Sequence, residues 1–167
     1  IKVILTKNFS DKQISINNSK IEKRNEIFVN TRTAQLILFM VSSTLLVFYG
    51  LIFSQNKLIF IYSVLILFGN FLQSYWYLNG KEKIYETAFF QLLNRLIFAL
   101  FVFKLITKDS DVSIYFFYFG ISNIVTGILV NLRIVFKYKE SIKIGNIKRS
   151  IKLIKNSFML FNSSIIG

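Results

Sequence analysis

Polar and apolar positions in this chain alternate on the scale of whole membrane spans rather than single turns. Thr33 to Asn56, Leu58 to Gly80 and Val112 to Leu132 contain no charged residue, and Thr87 to Phe103 contains only Arg95. About 20 apolar residues, each rising about 1.5 Å, cross the roughly 30 Å hydrocarbon core of a bilayer. The pattern therefore predicts four membrane-spanning helices, at about 34–53, 58–78, 85–106 and 112–136. Inside hydrocarbon the backbone must satisfy its own N–H and C=O groups, so the expected fold class is all-α, a polytopic transmembrane helix bundle.

The intervening segments complete the plan. Residues 1–32 form a basic segment leading into the first span, with an Asn/Ser-rich piece from Asn8 to Ser19 and a helical pattern from Ile21 to Val29. Ser54 to Lys57 reads as a tight hairpin, and Lys81 to Glu86 and Thr107 to Asp111 as charged turns. In 137–155, Ile142, Ile144, Ile147, Ile151, Leu153 and Ile154 are interleaved with Lys143, Lys148, Arg149, Lys152 and Lys155, which predicts a basic amphipathic segment on the membrane surface. Residues 156–167 are uncharged but too short to cross, so they read as the start of a further, truncated span, and the chain as an internal piece of a larger protein.

Charge sets the orientation. Of 21 Lys and Arg residues, 17 fall in residues 1–32, the 81–83 turn and the stretch from Arg133 to Lys155, and only Lys57, Lys104 and Lys108 flank the opposite ends of the spans. The excess of Lys and Arg marks the cytoplasmic side, so residues 1–32, 81–84 and 137–155 are expected there. The net charge of +13 is then accounted for by loops facing anionic phospholipids, and no nucleic-acid partner is expected.

Composition excludes several chemistries. The chain has no Cys and no His, which rules out thiolate and imidazole metal sites, Cys or Ser-His nucleophiles and His relays among these residues. Glu82 and Glu86 lie in one turn and Asp109 and Asp111 in another on the opposite side, so they cannot pair in one site. No catalytic residue, metal or cofactor is predicted, and the chain reads as a non-enzyme.

Function must therefore be sought among polar residues inside the spans. An arginine at a span centre costs about 2.5–3.5 kcal/mol on insertion scales, so it usually faces a bundle interior or an aqueous cavity. Arg95 holds that position, and Thr87, Gln91, Asn94 and Arg95 share one helical face. Arg95, Gln91 and Asn94 are the candidate substrate-binding residues. Asn70 joins them from the second span, where it shares a face with Ser63, Ser74 and Tyr77. Gly120, Asn123, Gly127 and Asn131, at helical spacing, read as a helix-packing seam. Gln35 reads as a packing residue, and Tyr75, Trp76 and Tyr77 as an interfacial aromatic belt.

The segment Tyr75-Trp76-Tyr77-Leu78-Asn79-Gly80-Lys81-Glu82-Lys83 resembles the W-[FY]-x-x-G-x-[EK]-[KR] signature of bacterial O-antigen and capsule flippases, the polysaccharide-exporter branch of the multidrug/oligosaccharidyl-lipid/polysaccharide superfamily. Lys20 to Phe28 resembles that family's charged lead-in to its third helix, Asn94-Arg95-Leu96-Ile97 its fifth-helix pattern, and 143–161 the approach to its seventh helix. Tyr77 and Asn79 depart from the family's usual Phe and Gln. The resemblance implies that the four spans are helices three to six of a two-lobe, inverted-repeat transporter of the bacterial inner membrane. It implies flipping of undecaprenyl-diphosphate-linked oligosaccharide from the cytoplasmic to the periplasmic leaflet by alternating access. The implied partners are that anionic lipid-linked substrate and the other proteins of polysaccharide assembly. Two alternatives stand beside it: a non-catalytic membrane domain of a polysaccharide polymerase or glycosyltransferase, and a multidrug exporter of the same superfamily.

Overall fold

The computed structural model describes residues 21–54, 56–105, 112–140 and 142–166, with the side chains of 21–24, 105 and 160–166 left aside. The Asn8 to Ser19 piece and the Thr107 to Asp111 turn lie outside the described residues. All regular structure among the described residues is helical: α1 (Ile21–Phe53), α2 (Lys57–Leu72), α3 (Tyr75–Gly80), α4 (Ile84–Leu105), α5 (Val112–Tyr138) and α6 (Ile147–Ile166). Among the described residues, four stretches are long and apolar enough to cross a membrane: Asn25–Phe53, Lys57–Gly80, Ile84–Lys104 and Val112–Tyr138. The chain is an all-α, polytopic membrane bundle.

Hydroxyl side chains within the spans turn back on their own helices. Thr33, Thr44, Ser63 and Thr126 each donate to the carbonyl four residues earlier, at 2.7–2.9 Å. The hydroxyl proton thereby finds an acceptor within its own helix in an apolar setting.

Two boundaries differ from the pattern. The second span is interrupted, with α2 ending at Leu72 and α3 beginning at Tyr75. No proline causes this break. Asn131 Nδ2 donates to the freed Leu72 carbonyl at 2.7 Å, so a side chain takes over the role of the missing backbone donor. In α6, the helix passes position 156 without interruption, and the basic and uncharged stretches share one element. Asn146 caps its first turn, its Oδ1 accepting from Arg149 N at 3.3 Å.

The chain forms two compact units. One comprises Ile1–Ile37, Ser74–Thr87 and Ile134–Gly167, the other Leu38–Gln73 and Ala88–Arg133. The first is built around Phe28, Trp76, Tyr77, Leu78 and Ile134, all at most 5% exposed. Here the expectation of an aromatic belt is corrected. Trp76 and Tyr77 are buried in protein, with Phe28 stacked on Trp76 at 5.7 Å and edge-on to Tyr77 at 5.0 Å. The reason is polar pairing: Trp76 Nε1 donates to Gln35 Oε1 at 3.1 Å, and Tyr77 donates to Glu140 at 2.6 Å. An indole or phenol that finds an acceptor inside the protein has no need of the headgroup layer. The same unit pins the start of α6. Gly145 N donates to Thr33 Oγ1, Asn146 N to Asn30 Oδ1 and Ser150 Oγ to Asn30 O, at 2.7–2.9 Å. Glu86 accepts from Lys137, Tyr138 and Tyr85.

The second unit packs parts of α1, α2, α4 and α5. Phe39 meets Phe68 and Phe71 between α1 and α2, and Phe98 and Phe101 of α4 meet Tyr115, Tyr118 and Phe119 of α5. Gly120, Asn123 and Gly127 of α5 are buried, whereas Phe116 and Phe119 are only half-buried. A methyl group added at Gly69 would stand 2.5 Å from Asn123 Cβ, and one at Gly127 2.5 Å from Leu72 Cβ. Glycine is what permits this approach of α2 and α5.

Candidate functional site

The contacts of the second unit set the direction and rotation of each helix. Leu65 lies against Gly120, Gly69 against Asn123 and Leu72 against Gly127. The numbers rise together, so α2 and α5 run parallel. Asn94 meets Asn123, Phe98 meets Phe119 and Phe101 meets Tyr118, so α4 runs antiparallel to α5.

One residue advances the direction of a side chain by about 100°. Asn70 follows Gly69 on α2, and Arg95 follows Asn94 on α4. Because the two helices run in opposite directions, these equal steps turn in opposite senses. They bring Asn70 and Arg95 to the same side of α5, the side to which Asn123 points between its two neighbours. Gly69, Asn70, Asn94, Arg95 and Asn123 thus lie in one layer across three helices, and Gln91 sits one turn along the same flank of α4.

Within the layer the candidates divide. Arg95 and Gln91 are exposed and Asn70 is half-buried. Among the described residues, Arg95 makes no hydrogen bond or ion pair. Asn94 instead turns inward: its Nδ2 donates to Asn123 Oδ1 at 2.8 Å, and its Oδ1 lies 3.2 Å from Thr126 Oγ1. The single Thr126 proton is shared between Asn94 and the Ser122 carbonyl at 2.8 Å. Gln73 Nε2 also donates to Asn123 Oδ1, at 3.0 Å. Thr87, read from the pattern as part of the Arg95 face, is buried in the first unit and donates to Asn79 Oδ1 at 2.9 Å.

Gln73 and Asn123 thus enter the layer although the pattern reads Asn123 only as packing. The signal available in the sequence is an amide set between two glycines at helical spacing, where close backbones leave no room for water to satisfy it. Chemically the layer offers a guanidinium, the best donor fork for a phosphate or carboxylate, together with neutral amides that can give or take hydrogen bonds. Among the described residues there is no group of His, Cys, Asp or Glu that could hold a metal.

No curated protein and no solved structure matches this chain. The family model described as polysaccharide biosynthesis protein matches residues 7–167, and the chain belongs to that family.

Proposed function

We propose that this chain forms part of a transporter that flips undecaprenyl-diphosphate-linked oligosaccharide from the cytoplasmic to the periplasmic leaflet by alternating access, without catalysing a reaction. The observation that carries this reading is Arg95, an exposed guanidinium within a span, in the same layer as Asn70, Asn94 and Asn123. A cation at that depth needs a compensating role, and a lipid-linked diphosphate or an acidic sugar supplies the opposite charge. Gln91 and Asn70 flank it as neutral hydrogen-bonding groups, and Asn94 holds the layer to α5. Membership of a polysaccharide biosynthesis family supports a glycan cargo. The basic residues Lys143, Lys148, Arg149, Lys152 and Lys155 are exposed and suit the anionic phospholipids of a cytoplasmic leaflet in the bacterial inner membrane.

The test is glycan export by the intact protein carrying Arg95→Ala or Arg95→Lys. Arg95→Ala loses surface glycan at normal protein abundance, and Arg95→Lys retains part of it, because charge survives while the bidentate fork is lost. Normal export by Arg95→Ala, or loss of the protein itself in both variants, returns Arg95 to a structural role.

A further inference from the structure

We infer that Asn123 is a ligand-contacting residue, its amide Nδ2–H donating to an anionic diphosphate oxygen held beside Arg95. The inference rests on the reading of this layer as an anion site and adds a residue to it.

Asn123 is 3% exposed, and its Oδ1 already receives two donors, Gln73 Nε2 at 3.0 Å and Asn94 Nδ2 at 2.8 Å. Its Nδ2 is buried and, among the described residues, has no acceptor. Gln73 Nε2 lies 3.4 Å from the backbone carbonyl of Asn123 as well, a group that can only accept, so Gln73 presents its nitrogen here and the side-chain atom of Asn123 that it meets is the oxygen. The side chain is not free to turn. Its Cβ abuts the Cα position of Gly69 so closely that a methyl there would stand 2.5 Å away, and rotation would break both amide bonds. The helices therefore hold in place a donor that has no acceptor among the described residues, in surroundings where an unmet donor is costly.

Helix phase supplies the rest. Asn123 points between α2 and α4, on the side of α5 that also carries Arg95 and Asn70. A diphosphate has several anionic oxygens, and one that meets the Arg95 guanidinium leaves others for a neutral donor. Entry of the ligand between α2 and α4 uncovers the amide and provides the missing acceptor. Gln73 and Asn94 are then positioning residues: they hold the Asn123 oxygen away from the anion and turn the nitrogen toward it.

The experiment is a titration of the purified intact protein with undecaprenyl diphosphate in detergent, with undecaprenol as the uncharged control. Asn123→Asp keeps an acceptor for Gln73 and Asn94 but replaces the donor by a second carboxylate oxygen. Because that carboxylate also repels the anion and can pair with Arg95, the effect of the lost donor is read from Asn123→Ser, which adds no charge and whose hydroxyl is too short to replace the amide. We expect Asn123→Ser to weaken diphosphate binding roughly ten- to hundred-fold, the loss of a charge-assisted hydrogen bond, and to leave undecaprenol binding unchanged, while Asn123→Asp weakens diphosphate binding at least as much. Diphosphate binding at wild-type strength by either variant overturns the inference. Should Asn123→Asp fail to accumulate, Asn123→Ser decides by the same titration: weakened diphosphate binding supports the inference and wild-type binding overturns it. Arg95→Ala separates the two readings. If it binds the diphosphate normally, the anion site itself fails; if it binds weakly while the Asn123 variants bind normally, only the role of Asn123 fails.

Discussion

Tyr77 and Glu140, 63 positions apart, meet through a 2.6 Å hydrogen bond between side chains that are 0% and 2% exposed. The bond joins α3 to the segment that follows α5. Glu140 lies immediately after Lys139, whose φ of 55° is the left-handed conformation that ends the helix and redirects the chain. A carboxylate and a phenol therefore fasten a turn that the backbone alone leaves strained.

This pair predicts a contrast between neighbouring tyrosines. Tyr77→Phe removes a buried hydrogen bond to a carboxylate and should lower stability by about 1.5–3 kcal/mol. Tyr75 also has a buried hydroxyl, but among the described residues it has no partner, so Tyr75→Phe should be neutral or slightly stabilising. Thermal unfolding of the two variants in detergent checks this. A more damaging Tyr75→Phe than Tyr77→Phe would show that the Glu140 bond contributes little.

The glycine seam gives a second prediction. Gly127→Ala brings a Cβ to 2.5 Å from Leu72 Cβ and 3.2 Å from the Gly69 carbonyl, neither of which lies at the far end of a flexible side chain. Overpacking of this kind costs about 1–3 kcal/mol. The melting temperature should fall, while Leu100→Ala, at a side chain 69% exposed, should leave it nearly unchanged. A Gly127→Ala protein as stable as the parent would mean that α2 and α5 separate at little cost.

Orientation is the third. Single cysteines can be placed without interference because the chain has none. A cysteine at position 56 should react with an impermeant reagent applied from outside, and one at 82 or 145 should react only after permeabilisation. The reverse labelling pattern would invert every span.

How much of this was legible beforehand depends on the range over which each feature is encoded. The packing seam of α5 could be read locally, because Gly120, Asn123 and Gly127 repeat at helical spacing and small residues admit a neighbouring backbone. The placement of Trp76 could not. Its aromatic run matches an interfacial belt equally well, and only the arrival of Gln35 and Phe28, more than 40 residues earlier, turns it inward. The shared face of Gln91, Asn94 and Arg95 was visible as a periodicity. That Asn94 would be drawn to Asn123 while Arg95 and Gln91 stay exposed was not, since all lie within a quarter to a third of a turn of one another.

The sequence by itself determined the number of spans, their helical nature and the charge asymmetry across them. Each of these follows from transfer of residues between water and hydrocarbon, which depends on composition within a window and not on partners. Tertiary structure decided which face of each helix meets protein. Lipid tails and packed side chains are equally apolar, so hydropathy cannot distinguish them. The choice falls to specific contacts: the missing Cβ at Gly69, the amides of Gln73, Asn94 and Asn123, and the Asn131 bond that holds open the break after Leu72. Those contacts join residues 29 to 59 positions apart, and they exist only once the helices have come together.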